Sequence, residues 1–337
     1  MKKKRSKMDS TPLSRRQFLG ASAASAAELM IVPRHVLGGP GFRAPSDTVN
    51  IACVGVGGKG TSDIFSVMTE NIVAVCDVDD TQMAGTLKRY KSIGDDSIVE
   101  KFTKTKKYRD FRKMLDAEKN NIDAVTVSTP DHTHAVIALA AMRLGKHAFV
   151  QKPLTHSVEE ARLLAKVARE QKVVTQMGNQ GHASEEARLI NEWIWDGAIG
   201  DVREVHCWTN RPIWPPGIKR PAEIPSVPST LDWNLWLGPA PLRPYHPAYA
   251  PSSWRGWWEY GTGALGDMGA HIIDHPYWAL KLGLPDAVQA SSTPFTEASY
   301  PQASKVHYTF PARESMPAVE MTWYDGGLMP ERPPELE

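Results

Sequence analysis

The sequence has few cysteines, no tryptophan in its first 192 residues and almost no net charge. Its three cysteines, Cys53, Cys76 and Cys207, are an odd number and include no C-x-x-C pair, so neither a disulfide framework nor a cysteine zinc site is expected. Cys53 and Cys76 lie in apolar runs, where a small buried thiol is the usual role. The 337 residues are 42% hydrophobic and 23% charged, which excludes a disordered or membrane-spanning chain and fits two globular domains.

The formal charge of +1 conceals an uneven distribution. Residues 1 to 16 carry seven Lys or Arg and one Asp, a balance of +6, so the rest of the chain sums to −5. A mildly acidic body offers no broad surface for neutralising phosphates. Nucleic acid is therefore not expected as a partner.

The basic start has the features of an address. Ser14-Arg15-Arg16-Gln17-Phe18-Leu19 precedes an alanine-rich stretch and resembles a twin-arginine export signal, although Glu28 interrupts the apolar run and no A-x-A site follows. The alternative is a disordered basic tail. Residues 1–45 are interpreted as signal and linker, with export to the periplasm expected, a cytoplasmic location if the signal is unused, and no membrane span beyond it.

A dinucleotide-binding fingerprint follows. An apolar run from Val49 to Val54 leads into Gly55-Val56-Gly57-Gly58-Lys59-Gly60, then a helix-compatible stretch from Thr61, and a second apolar run ends at Asp77. The glycines at the first, third and last positions permit a tight turn, close approach of a pyrophosphate and close helix packing. Asp77 is suited to a ribose 2′-hydroxyl and repels a 2′-phosphate, so NAD is favoured, with NADP possible.

Further strands and helices alternate after this motif. Strands are predicted near 122–128, 147–150 and 173–177, with helices from Thr133 to Leu144 and from a Ser157/Glu160 capping box to Gln171. This alternation predicts a doubly wound parallel sheet over residues 46–176. The ligand crevice of such a sheet lies at the carboxyl ends of its strands, which places Thr129, Pro130, Lys152 and Asn179 there.

With Gln151-Lys152-Pro153, the sequence resembles the Gfo/Idh/MocA family of oxidoreductases. The similarity runs from Thr48 to the end of the chain and includes Thr129 to His134 and the stretch Gly261 to His271. It implies a Rossmann domain, a second α/β domain over 177–337 with an open, mainly antiparallel sheet, and a homo-oligomer. It also implies cofactor contacts by the whole loop, Val56, Gly58 and Lys59 included, and by His134 and Gln151.

Two features depart from the family pattern. Gln151 replaces the acid of the usual E-K-P motif, which changes the electrostatic setting of Lys152. The chain also stops at Glu337, where family members continue through more strands, so a shortened second sheet or a fragment is expected.

The second half carries candidate chemistry. Asp267 and His271 are four residues apart on a predicted helix from Gly263 to Leu280 and therefore share a face. His271 is interpreted as general acid/base, Lys152 as donor to the reacting oxygen, and Asp267 as the group that orients the imidazole or binds a neighbouring hydroxyl. The alternative is a helix whose polar residues face solvent. His271 and His275 form H-x-x-x-H, but no metal site is expected.

Eleven tryptophans lie between Trp193 and Trp323. Trp193 and Trp195 are two apart on a predicted helix and cannot share one face, so at least one of them is expected to be partly exposed or at a domain or subunit contact. Flat indoles suit the apolar faces of sugar rings and also fill irregular cores. One or two of Trp233, Trp254 and Trp257 are predicted to stack on substrate. Arg255 and His275 are predicted as further substrate contacts.

Three functions stay open from the sequence. The first is NAD(P)-dependent hydride transfer from a secondary hydroxyl of a sugar, cyclitol or glycoside, with a tightly held cofactor if the protein is exported. The second is redox-neutral chemistry, as in an NAD-dependent glycosidase or an epimerase. The third, suggested by Gln151 and the early end, is a catalytically impaired nucleotide-binding scaffold or sensor.

Overall fold

The structure is a computed structural model, which describes residues 43–214, 216–334 and 336. The predicted export signal lies outside the described residues. Residues 43–49 belong to a separate N-terminal unit and contain a 3-10 turn at Pro45–Asp47. The remaining described residues, from Asn50 onward, form the second unit.

A six-stranded parallel sheet forms the first half of this unit. Its spatial order is β3-β2-β1-β4-β5-β6, which confirms the predicted doubly wound sheet. The strands are β1 (Asn50–Val54), β2 (Asn71–Cys76), β3 (Lys106–Tyr108), β4 (Ala124–Val127), β5 (His147–Gln151) and β6 (Thr175–Gly178). The strand order reverses between β1 and β4, which pair directly.

Helices connect these strands, and four of the six begin at a side-chain cap. Asp79 and Asp110 each accept a backbone N–H in the first turn of the helix that follows, and Ser157 and Glu160 form the predicted capping box. The helices are α1 (Lys59–Ser66), α2 (Asp80–Ile93), α3 (Asp96–Lys104), α4 (Phe111–Glu118), α5 (Asp131–Arg143) and α6 (Val158–Gln171).

Alternate residues of β1 face two separate cores. Ile51 and Cys53 pack with residues of α1 to α3, whereas Ala52 and Val54 pack with residues of α4 to α6. Both faces of the sheet are thus covered, which explains why its strands are apolar without alternation. All three cysteines are buried and free of disulfides.

A four-stranded mixed sheet lies in the second half, in the order β7-β10-β9-β8. The strands are β7 (Glu204–Trp208), β8 (Ala287–Ser292), β9 (Ser304–Phe310) and β10 (Val319–Tyr324), and the helices are α7 (Glu185–Trp195), α8 (Trp233–Leu237), α9 (Gly263–Ile272) and α10 (Asp274–Ala279). One pair of strands is parallel and two are antiparallel, as predicted for the second domain. One face of this sheet packs against apolar side chains of α7 and α9.

The long segment between β7 and α9 is built around an aromatic cluster. It contains Trp233, Trp236, Tyr249, Trp254, Trp257 and Tyr260, all buried. The indole N–H groups of Trp233 and Trp257 donate to the carbonyls of Arg243 and Ala248. The structure thus places Trp233 and Trp257, two of the indoles predicted to stack on substrate, in this core.

Two local predictions also differ from the structure. The sequence analysis placed no elements between Asp80 and Glu118, where α2, α3, β3 and α4 lie. The predicted helix from Gly263 to Leu280 is divided at Ile273 into α9 and α10. Pro276 has no backbone N–H to continue the ladder across this point, which explains the break.

Candidate active site

The site lies at the carboxyl ends of β1, β2, β4, β5 and β6. Because all six strands of the first sheet are parallel, the residues that follow them meet at one edge. The second half of the chain contributes α9 to this edge through Asp267 and His271, which contact Lys152 and Asn179 respectively. Four of the predicted residues are therefore in two hydrogen-bonded pairs across the two halves.

The glycine loop has the shape that a dinucleotide requires. A Cβ on Gly55, whose φ is +81°, would lie 2.4 Å from the carbonyl oxygen of Ser128, and one on Gly60 would lie 2.0 Å from the Gly55 oxygen. These glycines allow the loop, β4 and α1 to pack closely. A Cβ on Gly58 would meet no atom within 4 Å, and no side chain caps the N-terminus of α1. The loop thus leaves an open side at the uncapped start of α1, a position suited to a pyrophosphate.

Asp77 follows β2 and holds this loop in place. Its Oδ2 accepts the Val56 N–H at 2.9 Å and its Oδ1 accepts the Asp79 N–H at 3.0 Å. Burial raises the pKa of Asp77, against these N–H groups, which lower it. Each oxygen retains acceptor capacity for a ribose hydroxyl. The N–H of Val56, a predicted cofactor contact, already donates to Asp77.

A buried carboxylate on α1 that was not predicted as a site residue links the ends of β4 and β5. Asp63 of α1 accepts from Lys59 Nζ at 2.6 Å, Ser128 Oγ at 2.8 Å and Gln151 Nε2 at 2.9 Å. Gln151 is thus a buried donor to Asp63, and Lys59 turns along α1 toward the same carboxylate. The signal that could have indicated Asp63 is the neutral Gln151, because it leaves the region without its usual acid.

His134, which the resemblance places beside the cofactor, contacts two backbone carbonyls. It is buried in α5, with Nδ1 2.7 Å from the Pro153 carbonyl and Nε2 2.7 Å from the Thr129 carbonyl. Burial lowers the pKa of His134. Since both ring nitrogens face backbone oxygens, His134 holds together the loops after β4 and β5. Thr129 and Pro130 follow β4 at the predicted crevice, where Pro130 is the N-cap residue of α5.

Lys152, Asp267 and Arg255 form an ion-pair cluster. Lys152 Nζ donates to Asp267 Oδ1 at 2.8 Å and also to the Asp267 carbonyl, and Arg255 Nε donates to the same Oδ1 at 3.1 Å. Although burial acts in the opposite direction, Lys152 and Arg255 lower the pKa of Asp267. The Arg255 guanidinium also lies over the ring of Trp254, 4.1 Å from its centroid.

His271 is held by an amide and not by Asp267. Its Nδ1 lies 3.1 Å from Asn179 Oδ1, and Asn179 Nδ2 donates to the Ala270 carbonyl at 2.6 Å. Burial, followed by the charge of Lys152, lowers the pKa of His271. The predicted orientation of the imidazole by Asp267 is therefore corrected, since Asn179 makes that contact.

The start of α10 adds a second histidine group. His182 Nδ1 pairs with Asp274 Oδ2 at 2.9 Å and stacks on Trp278, with ring centroids 4.3 Å apart. His275 Nδ1 is buried with no hydrogen-bond partner. Among the described residues, no group of three or more His, Cys, Asp or Glu side chains is placed to hold a metal ion. The described helices also include none with the length and apolar character needed to span a membrane.

The fold and this site define the class of protein, an oxidoreductase with an NAD-binding Rossmann domain. Residues 49–179 match the family model described as oxidoreductase family, NAD-binding Rossmann fold, and residues 203–309 match that of the C-terminal α/β domain of the same family. The chain belongs to the Gfo/Idh/MocA oxidoreductase family. The predicted family, fold class and cofactor class, NAD, are confirmed.

Two curated proteins are similar to this chain over about half of its length. A glycosyl hydrolase family 109 protein of Shewanella pealeana is 28% identical over 208 residues, which are 56% of this chain and 44% of that protein. A levoglucosan dehydrogenase of Pseudarthrobacter phenanthrenivorans is 28% identical over 165 residues, 49% of this chain and 34% of that one. The chain thus spans less than half the length of these curated relatives.

Among solved structures, GenD2 from gentamicin A biosynthesis, in complex with NAD, has a similar fold. The TM-score is 0.58 at 21% identity, over 87% of this chain and 68% of that one. At this identity the comparison shows a shared fold.

Proposed function

We propose that this protein binds NAD and oxidises a secondary hydroxyl of a sugar, cyclitol or glycoside. The observation that carries the proposal is the pairing of Lys152 with Asp267 and of Asn179 with His271 at the edge where the glycine loop lies. A base and a cation are thereby held beside a nucleotide crevice, as alcohol oxidation requires. The presence of this arrangement also counts against an impaired scaffold.

The residues present fit the cofactor. The open side of the loop at Gly58 and the uncapped start of α1 would hold the pyrophosphate, and Asp77 would hold the adenosine ribose. When bound, NAD accepts the hydride from the alcohol carbon. Gln151 and His134 support the walls of this crevice through Asp63 and through the loops after β4 and β5.

The proton of the alcohol has a defined route. His271 accepts it, since burial and Lys152 lower the His271 pKa and keep the ring neutral and able to act as a base. Lys152 has three N–H donors, two of which contact Asp267, so the third is available to the reacting oxygen. Asp267 fixes the ammonium in place. The products are a ketone, a reduced cofactor and a proton on His271.

The test is substrate-dependent reduction of NAD, followed at 340 nm over a panel of free sugars and glycosides. His271→Ala and Lys152→Met are each expected to lower kcat by about 10²- to 10⁴-fold, the usual contribution of a positioned acid or base, with NAD affinity retained. Lys113→Met, at an exposed position on α4, is the matched control. Full turnover in both site variants would refute the assignment.

A redox-neutral outcome is the second candidate. It is supported by the glycosyl hydrolase family 109 relative. In that case the hydride returns to the substrate after bond cleavage, and no NADH accumulates. Release of an aglycone from a chromogenic glycoside, dependent on bound NAD but without net NADH, distinguishes this outcome from net oxidation.

Export through the twin-arginine route is also part of the proposal. Arg15 and Arg16 before Phe18 and Leu19 support it. An exported enzyme that depends on NAD needs to carry its cofactor with it. We therefore propose tight NAD binding, which a redox-neutral cycle or paired oxidation and reduction of two sugars would regenerate in place.

A further inference from the structure

Asn179 is the residue whose contacts the sequence did not anticipate. It directly follows β6, is 8% exposed, and was predicted on the cofactor side of the crevice. In the structure its amide lies between two consecutive residues of α9. Nδ2 donates to the Ala270 carbonyl at 2.6 Å, and Oδ1 lies 3.1 Å from His271 Nδ1.

These two contacts determine where the proton of His271 resides. A backbone carbonyl only accepts hydrogen bonds, so the NH₂ group of Asn179 must face Ala270 and the oxygen must face His271. The Asn179 oxygen in turn only accepts, so Nδ1 of His271 must carry the hydrogen. A neutral imidazole has a single N–H, and Nε2 is left with its lone pair.

Nothing else in the described chain supplies this constraint. No other described residue hydrogen-bonds the His271 ring, and Asp267, one turn earlier on the same helix, is occupied by Lys152 and Arg255. We propose that Asn179 is a positioning residue that holds His271 in the Nδ1–H tautomer, so that Nε2 is the atom that accepts the substrate proton. The catalytic part of this inference rests on the proposed function.

The charges around the ring are consistent with a neutral imidazole. Lys152 opposes protonation of His271, as does His275, whereas Asp267 and Asp274 favour it. Burial and Lys152 prevail, and the pKa of His271 is lowered. A tautomer preference is meaningful only in this neutral form.

The direct test is ¹⁵N NMR of the histidine side chains in the protein without substrate, with the His271 signals assigned by comparison with His271→Ala. At neutral pH we expect Nδ1 of His271 to show the shift of a protonated nitrogen and Nε2 that of an unprotonated one. Asn179→Ala should shift the ring toward Nε2–H, the form that histidine prefers in water. Asn179→Asp retains an acceptor for Nδ1–H and should keep the original tautomer.

Asn191→Ala is the matched control. Asn191 is also a buried asparagine whose Nδ2 donates to a carbonyl, that of Ala187 at 2.8 Å, but it lies within α7 and does not contact His271. It should lose stability as Asn179→Ala does and leave the His271 spectrum unchanged. With a substrate in hand, Asn179→Ala should lower kcat at least about tenfold while KM and NAD affinity stay within about threefold.

The inference is overturned if wild-type His271 is protonated on Nε2, or if Asn179→Ala leaves the tautomer unchanged. It is also overturned if Asn179→Asp loses the tautomer as Asn179→Ala does. The wild-type spectrum keeps the test decisive even if Asn179→Ala does not fold. Because the spectra need no substrate, a wild-type protein with the expected tautomer and no oxidoreductase activity would refute the proposed function alone.

Discussion

At the scale of single residues, the acid next to Lys152 in the usual motif is absent, and the carboxylate of Asp63 on α1 supplies a negative charge instead. The usual acid of the E-K-P motif is Gln151 here, and its amide donates to the buried carboxylate of Asp63, which also pairs with Lys59. The negative charge therefore lies on α1, under the cofactor loop. The carboxylate of Asp63 accepts from both Gln151 and Lys59. A second carboxylate, at position 151, would therefore have no hydrogen-bond donor there.

This arrangement predicts the outcome of a charge exchange. Gln151→Glu places two carboxylates within hydrogen-bond distance in a buried setting, where an uncompensated charge costs about 3 to 5 kcal/mol. The melting temperature should fall by several degrees. The double variant Asp63→Asn, Gln151→Glu restores one amide and one carboxylate and should recover most of the loss. Equal melting temperatures for Gln151→Glu and wild type would contradict this account of the contact.

Asp131 gives a residue-scale prediction with a defined pH dependence. It is buried in the first turn of α5 and accepts from Thr262 Oγ1 at 2.8 Å. Burial raises the pKa of Asp131 to about 7, although the Thr262 hydrogen bond lowers it. The folded protein thus holds this proton more tightly than the unfolded chain does. The contribution of Asp131 to stability is present below pH 4 and is lost as the pH rises to about 7.

Asp131→Asn should therefore stabilise the protein at pH 8 by on the order of 2 kcal/mol and have little effect at pH 4, because the introduced amide stays neutral at both pH values and still accepts from Thr262. Calorimetric unfolding at the two pH values measures the difference. Asp116→Asn is the control, since Asp116 is exposed and pairs with Lys119 at the surface. A variant less stable than wild type at pH 8 would show that the ionised carboxylate is well compensated by Arg255 and Lys152.

At the scale of elements, two glycines with the same backbone conformation allow backbone strain and ligand binding to be tested separately. Gly58 has φ 52° and ψ −117°, and Gly238, after α8, has φ 53° and ψ −119°. An alanine is similarly strained at both positions, and at Gly238 its Cβ also lies 3.1 Å from Thr133 Cγ2. At Gly58 the methyl group would instead occupy the open side of the loop.

We expect Gly58→Ala to weaken NAD binding by at least roughly tenfold, about 1.4 kcal/mol, because the methyl group keeps the pyrophosphate from the loop. Gly238→Ala should lose at least as much thermal stability and keep its NAD affinity. Fluorescence titration with NADH and thermal unfolding of both variants measure the two effects. If the affinities fall together with the melting temperatures, the loop at Gly58 is not the pyrophosphate site.

The same elements show what the sequence was able to predict. The glycines, Asp77 and the capping box at Ser157 are local signals, and the structure places a tight loop, a strand end and a helix start at these positions. The elements between Asp80 and Glu118 were missed although α3 and α4 are amphipathic and are capped by Asp95 and Asp110. Contacts such as that of Asn179 with His271 join residues 92 apart in sequence. No local pattern encodes them.

The tryptophans show a different limit. An indole is chemically suited to a sugar face and to a core, and the sequence does not separate the two uses. In the structure Trp257 is 1% exposed and its N–H is bound by Ala248, so the core explains it. The prediction for Trp193 and Trp195 succeeded because a helix cannot bury two residues two apart on one face. Both are more than 40% exposed.

At the scale of the whole molecule, the candidate site is assembled from both halves of the chain. Lys152 comes from the first half, Asp267 from the second, and the contact between them joins the nucleotide crevice to α9. A protein held together in this way gains stability from a ligand bound at that edge. At a free NAD concentration 100 times Kd, the gain is about 2.7 kcal/mol.

Export with bound NAD gives the last prediction. If Arg15 and Arg16 direct folded protein across the membrane, Arg15→Lys, Arg16→Lys should retain it in the cytoplasm, whereas Lys2→Arg, Lys3→Arg, which keeps the charge, should not. Immunoblots of periplasmic and cytoplasmic fractions measure the distribution. Protein purified from the periplasm should hold close to one NAD per chain after desalting, measured by absorbance and enzymatic assay of the extract. Since the periplasm supplies no NAD, an exported protein free of cofactor would rule out tight NAD binding with regeneration in place. Unchanged export of the Arg15→Lys, Arg16→Lys variant would rule out the twin-arginine route.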